Sequence, residues 1–282
     1  SAASDVYKRQ LWPKSKPITK FSVYGGVFDT PKDTQKKWWK EDSLQQWNVK
    51  QPMFYGASFS HAQKFGNFDL VIGSYLYWEN NFRYQDFSRR GRVNIKTRYR
   101  AKNVEGLSVG LNTTFHMSKL GLYLIWADEE DGAYMPLANT ASEDKTYRIV
   151  LDPFINYFDK KGNRHKFISR VFLSGDEQSQ EYSSTSNTFY GEYQYQKRFD
   201  DIKLVITSGI TGSHTYTDVA PLYGNTQHDA SNMGIYTQID KKFFDKLNIT
   251  GGARFELNTI DSVRESKPVF RIGLNYQAAE HT

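Results

Sequence analysis

Few side chains in this sequence have the type and spacing that catalysis needs. The six histidines, His61, His116, His165, His214, His228 and His281, form neither an HxH nor an HExxH pattern, so no zinc-hydrolase motif is encoded. His214 and His228 fall in one predicted connection, where they either meet across an exposed loop or stay solvated. Asp128, Glu129, Glu130 and Asp131 run together before Gly132. A calcium loop needs oxygen ligands at alternating positions and a closing carboxylate, so a solvated acidic loop is the better reading. The absence of cysteine excludes a disulfide scaffold, an iron–sulfur cluster, a thiolate zinc site and a cysteine nucleophile. Gly25-Gly26 and Gly251-Gly252 have no helix after them, so they do not cradle phosphate and are expected to permit bends or bulges. No catalytic residue, metal site or cofactor follows.

What remains is binding chemistry. Arg92, Lys96, Arg98 and Arg100 share one side of an alternating segment, opposite Val93, Ile95, Thr97 and Tyr99. Neighbours two apart on a strand are roughly 6.6 Å apart and repel by about 0.6 kcal/mol in water, so a wet interior tolerates such a row. These residues either contact water and acidic groups or, with Arg148, form a wall that attracts an anionic solute. Arg254 and Glu256 occupy the polar side of a later segment in the same way. Trp38, Trp39 and Trp47 lie among lysines between Asp29 and Gln51. They read equally as an external binding loop and as rings resting on neighbours or lipid headgroups.

The elements that position these groups are strands. From Leu247, one side carries Leu247, Ile249, Gly251, Ala253, Phe255 and Leu257 and the other Asn248, Thr250, Gly252, Arg254, Glu256 and Asn258, the period of two that a two-faced strand requires. Similar runs predict twelve strands, near 18–28, 53–64, 67–79, 90–102, 107–118, 146–158, 164–174, 188–198, 202–212, 231–241, 247–258 and 268–276. Every second connection is tight, around Gly66-Asn67, Asn103 to Gly106, Lys160 to Asn163, Asp200-Asp201 and Phe244 to Lys246, and the others are generally longer. That sorting predicts an antiparallel up-and-down meander with one plain and one decorated rim. Ten residues tilted by about 45° rise roughly 23 Å, close to the apolar band of a membrane barrel. Pro153 falls inside a strand and is expected to mark a bulge or a local break.

Composition agrees. Apolar residues are only 38% of the chain although Phe, Tyr and Trp make up 16%, which excludes disorder and suits apolar side chains spread thinly along strands. The net charge of +6 is spread over many residues of both signs, so nucleic acid is not an expected partner. Ser1 to Gln10, SAASDVYKRQ, matches the in-frame translation of a common sequencing adapter and is set apart as residues 1–10. Residues 11–282 are read as one partial barrel.

The stretches FSVYGGVFDTP (Phe21 to Pro31), NIKTRYRAKNVEGLSVGLN (Asn94 to Asn112), LIWADEEDGAY (Leu124 to Tyr134), LDPFINYFDKKGNRHK (Leu151 to Lys166) and KPVFRIGLNYQ (Lys267 to Gln277) share a character. In their order and spacing they resemble the barrel of TonB-dependent outer-membrane receptors of the Bacteroidetes type. The resemblance implies an all-β, antiparallel transmembrane barrel in the bacterial outer membrane, of which about 12 of roughly 22 strands are present. It also implies a receptor, not an enzyme, that imports a scarce solute: ferric siderophore, haem, vitamin or glycan. Its expected partners are outer-membrane lipid, a plug domain that precedes the barrel, and TonB through the plug side. The cationic row is then lumen-facing, toward plug or solute. Trp38, Trp39, Trp47, Asp128, Glu129, His214 and His228 become candidates on extracellular loops. The first strand should run outward, and the first and last strands should be unpaired on their outer sides. Two other readings make different expectations. A complete twelve-stranded barrel, such as an autotransporter translocator or outer-membrane hydrolase, should end on an aromatic, and the chain ends Glu280-His281-Thr282. A soluble adhesive or carbohydrate-binding protein should be polar on both faces.

Overall fold

A computed structural model describes residues 12, 16–29, 51–127, 134–178, 183–219, 227–244 and 246–278. These form twelve strands: β1 (Ile18–Val27), β2 (Met53–Phe65), β3 (Phe68–Asn80), β4 (Phe87–Arg100), β5 (Leu107–Leu122), β6 (Ser142–Phe158), β7 (Arg164–Gln178), β8 (Ser184–Phe199), β9 (Leu204–Asp218), β10 (Gln227–Phe243), β11 (Leu247–Ile260) and β12 (Val263–Tyr276). Each pairs antiparallel with its neighbour in the sequence, in one sheet ordered β1 to β12. The twelve predicted strands and their up-and-down order are all present, and among the described residues there is no helix. β1 and β12 stand at opposite edges and do not pair with each other, so the sheet is open, which disagrees with a closed twelve-stranded barrel.

The strands are longer than the alternation of apolar residues suggests, and they grow toward one rim. β6 begins at Ser142, β8 at Ser184 and β10 at Gln227, and β9 runs on to Asp218. Apolar alternation stops where the apolar band stops, whereas the hydrogen-bonded ladder continues as long as a partner strand does. The long connections shrink accordingly. Two residues, 261–262, join β11 to β12, where a longer loop was expected. Asp261 takes a positive φ of 49° there, as a tight hairpin turn demands.

Register is unbroken along each ladder, so none of the glycine pairs marks a bulge. Many glycines instead make room for a ring on the facing strand. Gly26 lies opposite Phe54, Gly56 opposite Tyr24, Gly110 opposite Phe154, Gly121 opposite Phe87, Gly175 opposite Tyr147 and Gly209 opposite Tyr236, and in each case a Cβ would overlap the ring. Pro153 makes a local break rather than a bulge. Pairing of β6 with β7 skips from Leu151↔Val171 to Phe154↔Ile168 without changing register, as expected where one N–H is missing from the ladder.

The two faces of the sheet differ in kind. One carries Phe21, Leu76, Met117, Ile235, Phe270 and Ile272, most of them exposed, with Phe270 at 75%. The other carries Asp69, Asn94, Asn112, Thr114, Arg148, Glu192, Thr211 and Gln238, some of them fully buried. No described residue covers the apolar face, and an exposed apolar face opposite a polar one is the pattern of a barrel wall.

Candidate functional site

The polar face is organised around charged side chains that the register brings side by side. β3 presents Asp69 directly opposite Arg98 of β4. Arg98 donates to Asp69 Oδ2 from Nε at 2.8 Å, and Arg100 donates to both oxygens from Nη1 and Nη2 at 2.5 and 2.9 Å. Asp69 is completely buried by these contacts. The Arg98 guanidinium also lies over the ring of Trp12, 4.2 Å from its centroid, and Trp12 packs on Phe154. Of the five cations on the polar face of β4, Arg90, Arg92, Lys96, Arg98 and Arg100, two are therefore held by one carboxylate.

Arg92 is placed differently. It pairs across the ladder with His116 of β5, which pairs with Arg148 of β6, so Arg92, His116 and Arg148 form one cross-strand row. Strands lie about 4.8 Å apart, so the row spans roughly 10 Å. Among the described residues, neither Arg92 nor Arg148 makes an ion pair or side-chain hydrogen bond, and nor does Lys96, two steps below on the same face beyond Asn94. Arg170 farther along is satisfied by both oxygens of Asp152, at 2.7 and 2.8 Å.

A second polar cluster spans β8 to β11. Glu192 accepts from Tyr190 at 2.7 Å and from Tyr236 at 2.5 Å, and Tyr236 also accepts from Gln194 at 2.9 Å. Arg254 pairs with Glu256 at 2.5 Å and donates to Thr211 at 3.2 Å. Thr211 is buried and the others are half-buried, and although Arg254 Nε has no aligned hydrogen-bond acceptor, the bonds among these groups make the cluster a brace between strands.

At the rim with the longer connections, Phe28 packs on Phe54 and Phe82, and Phe82 meets Tyr134 edge-on at 5.4 Å. Beside them Tyr123 is 2% exposed, and burial pushes its hydroxyl up to about 12. Trp38, Trp39, Trp47, Asp128 and Glu129 lie outside the described residues. His214 and His228 are on strands β9 and β10, not in the connection. They also point to opposite faces: His214 faces Ser231 and Asp229 on the apolar side, and His228 bonds Asp261 at 2.9 Å. They cannot share a ligand. Asp69, His116 and Glu192 were missed by sequence reasoning because only the register reveals which side chains they meet.

The sequence profile described as "TonB dependent receptor-like, beta-barrel" matches residues 46–282. The chain belongs to this family. Members are outer-membrane transport receptors, so the polar face is the wall of the lumen and the apolar face meets lipid. Among solved structures, the FrpB iron transporter from Neisseria meningitidis is similar at 12% identity and TM-score 0.67, over 99% of this chain and 46% of that one. The siderophore receptor PirA from Pseudomonas aeruginosa aligns at 10% identity and TM-score 0.64, over 92% of this chain and 40% of that one. The RagAB peptide transporter aligns at 12% identity and TM-score 0.59, over 79% of this chain and 34% of that one. At such identities the likeness shows the fold alone, and the chain spans less than half the length of each. No curated protein matches.

Proposed function

We propose that this chain is the barrel wall of a receptor that imports a small anionic solute across the outer membrane, with TonB supplying the energy through a plug. The observation that supports the charge of the solute is the Arg92–His116–Arg148 row, whose two arginines make no ion pair with a carboxylate among the described residues, Asp144 acting on Arg148 only at longer range, although the nearby Asp69 holds two arginines and Asp152 one. Cations lining a water-filled cleft with low-dielectric walls focus field and raise the local concentration of an anion. Lys96 adds to the row, while Arg98 and Arg100 do not, because Asp69 already holds them. The fold relatives named for siderophore and iron transport handle cargo compatible with this reading, and the peptide transporter shows that the fold alone does not choose it.

The test uses the full-length receptor and a panel of ferric citrate, a ferric catecholate, haem and a neutral oligosaccharide. The anionic probes should bind with salt-dependent affinity, and Arg92→Gln with Arg148→Gln should weaken that binding at least tenfold while a protease still finds the plug in place. Binding of the neutral oligosaccharide alone, or unchanged affinity with a loosened plug, overturns the reading and makes the row a plug contact.

A further inference from the structure

Trp12 reaches far from the strand it leads into. It stands six residues before Ile18, the first residue of β1. Its ring nevertheless lies against the Arg98 guanidinium of β4, 4.2 Å from its centroid, and packs on Phe154 of β6 with centroids 6.3 Å apart. Register shows why these two residues act as one place. Arg98 faces Gly110 of β5 and Gly110 faces Phe154, so the three form a single cross-strand row on the polar face. Gly110 has no side chain to fill the middle of that row, and the Phe154 ring leans into the space that a Cβ there would occupy.

Arg98 is prepared for a ring. Its Nε and Nη2 hold Asp69 at 2.8 and 2.6 Å, and those N–H groups point along the plane of the guanidinium, which leaves its flat face for an aromatic partner. Tryptophan is the strongest such partner, and the contact gains from being half-buried on both sides. The chain length fits the span. Six residues reach about 20 Å when extended, and four ladder steps of about 4.8 Å from β1 to β5 cover roughly 19 Å. Pro13 follows Trp12 and Pro17 follows Lys16, and a residue before proline is biased toward extended backbone, so the sequence lowers the entropy lost in such a reach.

We propose that Trp12 is a peg and the Arg98–Gly110–Phe154 row its socket, which together fasten the chain leading into β1 to the strands β4 to β6. β1 is the shortest strand, ten residues, and is exposed almost throughout, so it is a poor anchor on its own. A pull on the chain at a strand end opens the ladder one bond after another; with the peg seated, the load passes to three longer strands instead. In a receptor whose plug is worked on by TonB, Trp12 is then the strain relief of the joint between plug and barrel. That role rests on the plug of the reading above, whereas the docking of Trp12 does not, and neither depends on the solute.

The test is limited trypsin digestion of the full-length receptor in micelles. Between residues 12 and 17 trypsin has one site, after Lys14, because Lys16 precedes a proline. Cleavage there requires the segment to detach, so its rate reads how often the peg is out of its socket. Trp12→Leu should raise the rate about tenfold and Trp12→Phe by less, because a ring keeps part of the cation contact and an aliphatic side chain keeps none. Arg98→Gln should act like Trp12→Leu, with no further rise when the two are combined. The urea midpoint and solute binding should be unchanged in Trp12→Leu, so a failure to find an anionic solute leaves the peg standing. Cleavage of Trp12→Leu at the wild-type rate, equal rates for Trp12→Phe and Trp12→Leu, or additive effects of Trp12→Leu and Arg98→Gln overturn the proposal. Trp12 lies outside the strands, so its own variants carry the test if Arg98→Gln does not fold. Pulled by force microscopy from a handle placed before Trp12, the wild type should show a rupture before β1 leaves the sheet that Trp12→Leu lacks, and identical traces overturn the strain-relief role.

Discussion

Asp69 faces Arg98 in the ladder, yet it is Arg100, two residues farther on, that grips both of its oxygens, with Nη1 to Oδ2 at 2.5 Å and Nη2 to Oδ1 at 2.9 Å. One buried carboxylate therefore holds two guanidinium groups that would otherwise repel each other at about 6.6 Å along the strand.

Removing that carboxylate's charge leaves two partly buried cations facing each other, and breaking such a pair costs more than it ever contributed. Asp69→Asn should destabilise the full-length receptor by about 3 kcal/mol, read as a lowered urea midpoint in micelles. Arg100→Lys keeps the charge but loses the two-pronged geometry and should fall in between. Equal midpoints for wild type and Asp69→Asn would show that the pair is ornamental.

Facing rings and glycines give a graded prediction. At Gly209 an added Cβ meets only the far end of the Tyr236 ring, whereas at Gly110 it meets the backbone carbonyl of Thr97 as well as the Phe154 ring. A ring can swing aside and a central-strand carbonyl cannot. Gly110→Ala should therefore cost about 3 kcal/mol and Gly209→Ala nearer 1 kcal/mol on the same urea assay. Adding Phe154→Leu should recover little of the Gly110→Ala loss, and a full recovery would mean that the ring, not the carbonyl, sets the cost.

The period of two made the polar face legible: Arg92, Lys96, Arg98, Arg100, Arg148, Arg254 and Glu256 all occupy the face that the alternation assigns them. Alternation says which face a residue takes, but not what stands beside it. That is why Asp69 as the partner of Arg98 and Arg100 needed the register. The strand ends were hidden for another reason. Near the long-connection rim both faces are polar, so His214 and His228 carry no apolar signal that they belong to strands, although the ladder runs through both.

The β6–β7 turn offers a pH test outside the membrane. Asp159 accepts hydrogen bonds from Asn163 Nδ2 at 2.7 Å, from the Asn163 backbone at 2.9 Å and from the Lys161 backbone at 2.8 Å. These bonds, the Asn163 side chain first, hold its carboxyl below the ordinary value of 3.8. A depressed carboxyl contributes its stabilisation above the unfolded value and loses it as pH falls through the folded one. Hydrogen exchange at the amides of Lys161 and Asn163, corrected for the intrinsic rate, should stay protected at neutral pH and lose protection only below about pH 4. Asp159→Ala should remove the protection at every pH. Protection that persists at pH 2 would mean that the backbone alone holds the turn.

Orientation decides what each rim meets. If β1 leaves a plug on the inner side it runs outward, so the β1–β2, β3–β4 and β5–β6 connections lie outside the cell and the turn at Gly162, with its φ of +77°, lies in the periplasm. A short epitope inserted after Asn139, in the β5–β6 connection, should be labelled by antibody on intact cells, and one inserted after Gly162 only once the outer membrane is permeabilised. Both positions take a positive φ in surface turns, where insertions disturb the ladder least. Labelling of intact cells only at Gly162 would invert the barrel. The Arg92–His116–Arg148 row would then lie on the periplasmic side of the lumen, too late on the path to capture a solute from outside.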